Sequence, residues 1–481
     1  MEDYRQATII TDVKRQKGFV FVLMLTSIVA MLNSTTVTIS LPTYMQVFGV
    51  DINTVQWVTV GYMLPLGMMM PLSSYLGERY SYKKVFLFGL AAIGVSSLGC
   101  ACSPTFFILV LCRFIKGAAA GLIVPGAMAM LYRYLPKDCQ AHYLGKLVLF
   151  QSVGVAIGPS LAGFILQFSN WHVLFLFNIP LVIISYLMGR KYFVSEKGST
   201  AGKIDIAGII EISVGTGLVM IAFTEGDLWG WTSPLFLSCL AVGMFLIVYF
   251  ILKQFHTAQP LLNFKVLRYR EFAIAFIIQS TLAMTLGITA ILQQLYFQTV
   301  RGYPPVITGL LVLIPSLILL IGNEVANRLD SVERRRNLLI VSMFIVVIGN
   351  LAWCRPGVET SMLLLMTFFS IRYFGMGMMQ MPLMDYGMSA VPPNMSGHAS
   401  SLFNWGRQFI QVVSTNILTV ILSLNINRYY QAAGNIGTPP QGSAAYKEVA
   451  AHAVGTDFVI MTVFLVMSLI CTFFIKAKKA E

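Results

Sequence analysis

Fourteen mostly apolar stretches, each close to the length of a membrane crossing, follow one another along this 481-residue chain. They cover about 18–42, 55–75, 85–102, 105–131, 147–167, 173–189, 205–224, 234–252, 272–294, 306–326, 337–353, 361–388, 399–425 and 458–475. A hydrocarbon core about 30 Å thick needs roughly 20 apolar residues in a helix. In lipid every backbone polar group must be satisfied inside the spanning element, so only helices and closed barrels cross. The runs are continuous rather than alternating, which excludes a barrel. The first is too long for a cleaved signal peptide and has no small-residue cleavage site after a short core. The chain therefore reads as an all-α membrane protein with fourteen transmembrane helices. With 57% hydrophobic and only 11% charged residues it is neither a soluble enzyme nor a disordered chain. Its seven cysteines lie mostly inside apolar runs, as small buried hydrophobes do, and form no disulfide framework.

The net charge of +13 would suit a nucleic-acid partner only if the cations were clustered for one. They are not. With the N-terminus cytoplasmic, 25 of the 33 Lys and Arg fall in inside segments and 4 in outside loops. The remaining four, Arg113, Lys116, Arg372 and Arg407, lie within spans. That asymmetry is the positive-inside signature and places both termini in the cytoplasm, so no nucleic-acid partner is expected. The longest loop, about Asn427–Asp457 with its Gly/Pro/Ser stretch Gly434–Ala444, falls outside. No phosphate-binding G-x-x-x-x-G-K-[ST] loop occurs, which argues against direct drive by ATP. His142, His172, His256, His398 and His452 are scattered without metal-like spacing. No cofactor, metal or enzymatic site is expected.

An acid and a basic cluster recur at matching places. After the second run stand Leu76-Gly77-Glu78-Arg79 and Lys83-Lys84; after the tenth stand Arg328-Leu329-Asp330 and Arg334-Arg335-Arg336. The correspondence requires a 6+2+6 arrangement: a six-helix bundle over 1–195, two extra helices over 196–260, and a second six-helix bundle over 261–481. Internal repeats with a site between them characterise secondary transporters. Two unrelated loops obeying the charge rule would look the same.

Further motifs carry a resemblance. Leu32-Asn33-Ser34-Thr35-Thr36-Val37-Thr38-Ile39-Ser40-Leu41-Pro42 follows L-D-x-T-I-V-N-V-A-L-P, and Ser74–Lys84 follows G-x-L-a-D-R-x-G-R-R-x. Arg113, Gly117 and Gly121 fit R-x-x-x-G-x-x-x-G, and Gly154, Gly158, Pro159 and Gly163 fit an antiporter motif. Trp171–Pro180 and Gly397–Gln408 supply two more blocks. In these residues the chain resembles the fourteen-span drug–proton antiporters of the major facilitator superfamily. That resemblance implies the major facilitator fold and export driven by protons. The departures are specific: Asn33 stands where the family keeps an acid, Glu78 where Asp is usual, and Ser74 and Ser81 where glycines are usual.

Charged groups inside a membrane cost about 2.5–3.5 kcal/mol each on insertion scales, so each asks for a role. Arg113 and Arg372 fall near mid-depth and are the leading site candidates, with Lys116 beside the first. Polar stripes at helical spacing add Asn33 and Thr36 in the first span, and Asn404, Arg407 and Gln411 in the thirteenth. Gln380 and Asp385 lie on a Met-rich stretch of the twelfth, a composition suited to varied apolar ligands. These ten residues form the expected substrate cavity; hydrogen bonding between helices is the plainer reading of each. Glu324, four residues before Arg328, reads as a surface pair. The spacing of Gly154, Gly158 and Gly163 admits a close neighbouring helix, and Pro159 bends the chain, which suits a rocking interface or simply tight packing. Glu78, Arg79 and Asp330 are candidate members of a cytoplasmic latch, against the alternative of topogenic charge.

The expected function is a plasma-membrane exporter of small amphipathic compounds, working by proton-coupled alternating access. The alternative is a dedicated exporter of one metabolite, peptide or lipid-like anion on the same fold. The expected partners are a small-molecule substrate, protons and the lipid bilayer. In a two-membrane bacterium a periplasmic adaptor would join them.

Overall fold

Helices make up nearly all of the computed structural model, which describes residues 9–50, 52–196, 205–257, 260–331, 333–432 and 443–475; no strand occurs among them. In chain order the main elements are α1 (Val13–Ile39), α2 (Trp57–Met69), α3 (Leu72–Tyr80), α4 (Tyr82–Ala101), α5 (Phe106–Tyr134), α6 (Lys137–Phe168), α7 (Asn178–Tyr192) and α8 (Ile206–Trp229). They continue with α9 (Pro234–His256), α10 (Arg270–Gln294), α11 (Pro305–Leu329), α12 (Arg335–Leu351), α13 (Met362–Ser389), α14 (Ser396–Ala432) and α15 (Ala444–Phe473).

Every apolar run falls on a helix, but among the described residues twelve helices, not fourteen, are long and apolar enough to cross a membrane, or thirteen counting one bent pair. The reason is local. The run over 55–75 is interrupted at Met70 and Pro71, leaving α2 and α3 each short. The run over 147–167 lies on α6, which turns by 40° between its segments Lys137–Gly158 and Leu161–Phe168. A second correction concerns the last span. It begins at Ala444 rather than near 458, so most of the expected outside loop is helix, and the Gly/Pro part, 433–442, lies outside the described residues.

Two compact units are distinguished: Met1–Tyr269 with Met388–Gly406, and Arg270–Gly387 with Arg407–Glu481. In the first, α5 packs on α2 through glycines: Gly117 faces the carbonyl of Tyr62 and Gly121 that of Leu66, so closely that a methyl group would collide. In the second unit, α13 meets α11 by the same device, Gly377 against the Leu319 carbonyl and Gly322 against the Phe374 carbonyl. The core of this second unit gathers around Trp353, with Tyr296, Phe297, Phe369 and Phe458 as ring neighbours.

Helix ends are capped where the sequence supplies an oxygen: Asp12 accepts from the amides of Lys14 and Arg15, and Ser443 from that of Tyr446. Between α3 and α4, Ser81 has φ of +87°, the left-handed region that favours glycine. Finally, α8 and α9 pack as a hairpin. Gly215 and Gly243 face each other's carbonyls, and Lys253 near the hairpin's end bonds Asp205 at 3.3 Å and Glu211 at 3.0 Å near its beginning.

Candidate functional site

In the first unit Arg113 and Lys116 project from one turn of α5 and are fully buried. Arg113 donates from Nε to the Val58 carbonyl at 2.8 Å and from Nη1 to the Asn33 carbonyl at 2.9 Å. Its guanidinium lies 4.5 Å from the centre of the Tyr62 ring, within cation–π range. Lys116 donates to Asn33 Oδ1 at 3.0 Å and sits 5.0 Å from the Phe175 ring centre. The Asn33 amide in turn donates to the Val29 carbonyl at 2.8 Å. Two cations thus converge on one residue, Arg113 on the Asn33 backbone carbonyl and Lys116 on its neutral side chain, and neither has an ion pair among the described residues. The glycine contacts of Gly117 and Gly121 bring α5 close enough to α2 for Arg113 to reach its carbonyl.

The remaining first-unit candidates divide. Thr36 is buried but its hydroxyl bonds its own helix, at the Leu32 carbonyl. Asn404 donates to Ser400 O and touches Met128 Sδ, away from Asn33. Gly154 and Gly158 admit α1 closely, against Met31 and Thr35, whereas Gly163 faces open space and takes no part in that contact. Pro159 lies between the two segments of bent α6; its side chain falls outside the described residues.

In the second unit Arg372 is also fully buried, on α13. Its Nη2 is bonded to the Thr285 carbonyl at 3.3 Å and to Thr289 Oγ1 at 2.9 Å, while Nε and Nη1 have no partner among the described residues. Gln380, Arg407 and Gln411 come together at a polar crevice with Gln279 and Met376. Its cavity of about 30 Å³ has room for a water or so and none for a drug-sized molecule. Most methionines of α13 are packed into the interior, among them Met378, Met379, Met381 and Met388, and do not form a binding surface in this conformation.

Asp385 is not at that crevice. Its carboxylate meets Arg335 at 2.6 Å, and Arg335 also grips Asp330 at 2.7 Å, so Asp385 joins the expected latch acid instead. Burial pushes the Asp330 carboxyl up; Arg335 pulls it down, Asp385 pushes it up again, and the net direction is upward. The first-unit counterpart is looser. Glu78 approaches His398 Nε2 at 3.5 Å, with its second oxygen unpartnered, and Arg79 lies over the Tyr80 ring at 5.9 Å. The Asn263 amide donates to His398 Nδ1 at 3.4 Å, which leaves Nε2–H to face Glu78. Glu324 and Arg328 form the exposed pair expected, at 2.8 Å.

The sequence profile of the Major Facilitator Superfamily matches residues 23–415. This chain belongs to that superfamily. Among its relatives is the uncharacterized MFS-type transporter YhcA of Bacillus subtilis (strain 168), 27% identical over 419 residues, 87% of this chain and 79% of that one. The lincomycin resistance protein LmrB of Listeria monocytogenes is 26% identical over 456 residues, 95% of this chain and 96% of its own. Of solved structures, the human organic anion transporter MFSD10 (TETRAN) superposes with a TM-score of 0.64 at 12% identity, covering 95% of this chain and 99% of that one, and shows the fold. The chain is therefore a multi-pass transporter of the cell membrane that takes small-molecule substrates, and not an enzyme.

One group of this transporter escaped sequence reasoning. Asp457, assigned to an outside loop, lies near the middle of α15, fully buried, and neither carboxylate oxygen has a hydrogen-bond partner among the described residues. The available signal was Ser443 at an N-cap position ahead of the Ala-rich stretch Ala444–Ala453.

Proposed function

We propose that this transporter exports small amphipathic compounds by proton-coupled alternating access, and that it prefers neutral or anionic lipophilic molecules to permanent cations. The observation that carries the reading is the Arg113–Lys116–Asn33 cluster: two fully buried cations bonded to a residue that is neutral where the resembling family keeps an acid, Arg113 at its backbone carbonyl and Lys116 at its side chain. A third cation with no carboxylate partner among the described residues, Arg372, lies in the other unit. Buried cations without counter-ions favour a negative or electron-rich guest and repel a quaternary ammonium. The resistance-protein name of the Listeria relative supports export of foreign compounds. Fourteen crossings as 6+2+6, with both termini cytoplasmic, accord with this reading. On this reading bent α6 and the pair α2–α3 are the two crossings beyond twelve, and the Lys/Arg asymmetry of the sequence argues for cytoplasmic termini. The partition into 1–195, 196–260 and 261–481 follows from that count.

The test is flux into proteoliposomes under an imposed pH gradient, using a neutral dye, a sulfonated lipophilic dye and a quaternary ammonium dye. Accumulation of the first two, collapsing when the gradient is dissipated, is expected. Strong quaternary-ammonium flux with no anion flux would sink the charge preference, and flux indifferent to the gradient would sink proton coupling. Accumulation confined to one compound from a broad screen would favour the dedicated exporter.

A further inference from the structure

Asn33 cannot carry a proton, so if transport is proton-coupled the proton must sit elsewhere. Asp457 has the required placement. It is the fourteenth residue of the thirty in α15, about 20 Å from either end at a rise of 1.5 Å per residue. Its neighbours Ala453, Val454, Phe458 and Met461 are all fully buried, and the Phe458 ring stacks on Trp353 with centres 5.2 Å apart. Among the described residues no hydrogen-bond donor reaches either oxygen, and no cation stands within ion-pair distance. A bare carboxylate in such surroundings is the least favourable state of the group, whereas the neutral acid fits.

The elements packed around it offer few ionisable groups. Tyr296 bonds the Gly357 carbonyl, with Arg301 lying 5.7 Å from its ring centre. The Cys354 thiol is engaged with Thr462, and Tyr429 bonds Thr456 and stands edge-on to His452. None of these touches the carboxyl. Arg372 is the exception in kind: its guanidinium lies 5.7 Å from the ring centre of Phe458, the next residue after Asp457. Its bonded partner Thr289 also touches Met461, one turn further along α15. An acid and a cation, each with polar atoms that lack a partner among the described residues, therefore stand against the same stretch of α15, around 457–461, without pairing.

We infer that Asp457 is the proton-binding carboxyl of this transporter, neutral in the conformation described, and that Arg372 receives its charge once the proton has left. The step is simple: the Asp457 O–H bond breaks, the proton passes to water admitted as the unit opens, and the carboxylate is met by the unused Nε and Nη1 of Arg372. The inference rests on proton coupling, and its test separates the two. Infrared spectra of the purified full-length protein are recorded with pH, for wild type and Asp457→Asn. A protonated-carboxyl band that titrates in wild type and is missing in Asp457→Asn is expected; a band unchanged by the substitution overturns the assignment. In proteoliposomes, with whichever of the three dyes the wild type moves, Asp457→Asn should lose at least tenfold of gradient-driven accumulation while keeping dye exchange without a gradient. Accumulation as in wild type overturns the inference but leaves proton coupling standing; a wild type indifferent to the gradient overturns both. Where Asn unfolds the protein, Asp457→Glu keeps the carboxyl and should couple with a displaced pH profile, and an unmoved profile counts against the assignment.

Discussion

Arg113 and Arg372 hold comparable places in the two units, each on a helix docked through glycines against a neighbour, yet they are held very differently. Arg113 reaches carbonyls from two other helices and rests 4.5 Å from an aromatic ring centre. Arg372 uses one nitrogen, and its nearest rings are centred 5.7 and 5.8 Å away. The first has two nitrogens bonded, with Nη2 lacking a partner among the described residues, and its positive charge is anchored; the second has one nitrogen bonded and keeps Nε and Nη1 in reserve. A buried position on a glycine-docked helix therefore places a cation at depth without deciding whether it is a fixture or a moving part.

The comparison can be broken at several points, and the largest effect sets its scale. Arg335 neutralises two buried acids, so Arg335→Gln should cost about 3–5 kcal/mol in chemical denaturation in detergent, the range for breaking a buried pair. Arg113→Gln should follow at about 3 kcal/mol, because a fully buried charged donor is lost from two carbonyls. Arg372→Gln should cost about 1 kcal/mol, for one bonded nitrogen, while impairing gradient-driven transport. Equal losses for the last two would erase the distinction between anchor and reserve. Asn33→Asp sharpens it from the other side by setting a carboxylate beside Lys116. Flux of a sulfonated dye should fall about tenfold, or ~1.4 kcal/mol, and unchanged flux would show that the cluster does not read substrate charge. The smallest effect lies between α3 and α4. Ser81→Gly relieves a positive φ and should stabilise by about 0.5–1 kcal/mol, read as a small rise in thermal midpoint.

Much of this arrangement was legible beforehand because it depends on local chemistry. Twenty-residue apolar runs must be helices in lipid, and Arg113 and Lys116, three residues apart on one helix, had to share a face. The glycine missing at Ser81 was visible as a departure, though only the backbone angle gives it a cost. What stayed hidden depends on distance along the chain. Asp385 and Arg335 are fifty residues apart, and nothing local announces their pairing. Asp457 was masked because the first turns of α15 are rich in alanine and lack the bulk that marks a span, while the Gly/Pro stretch ahead drew the boundary too late. Gly163 fits the motif's spacing but meets no neighbour, since the bend in α6 intervenes.

The hairpin α8–α9 has a consequence for how the protein is made. Lys253 returns to Asp205 and Glu211, so the hairpin's open end is closed by ion pairs made within it, and the facing glycines need no other helix to complete their contact. Such a hairpin can leave the insertion machinery as a finished pair without waiting for the rest of the chain. Breaking Lys253 would then show first as slow assembly during synthesis, ahead of any defect in the mature transporter.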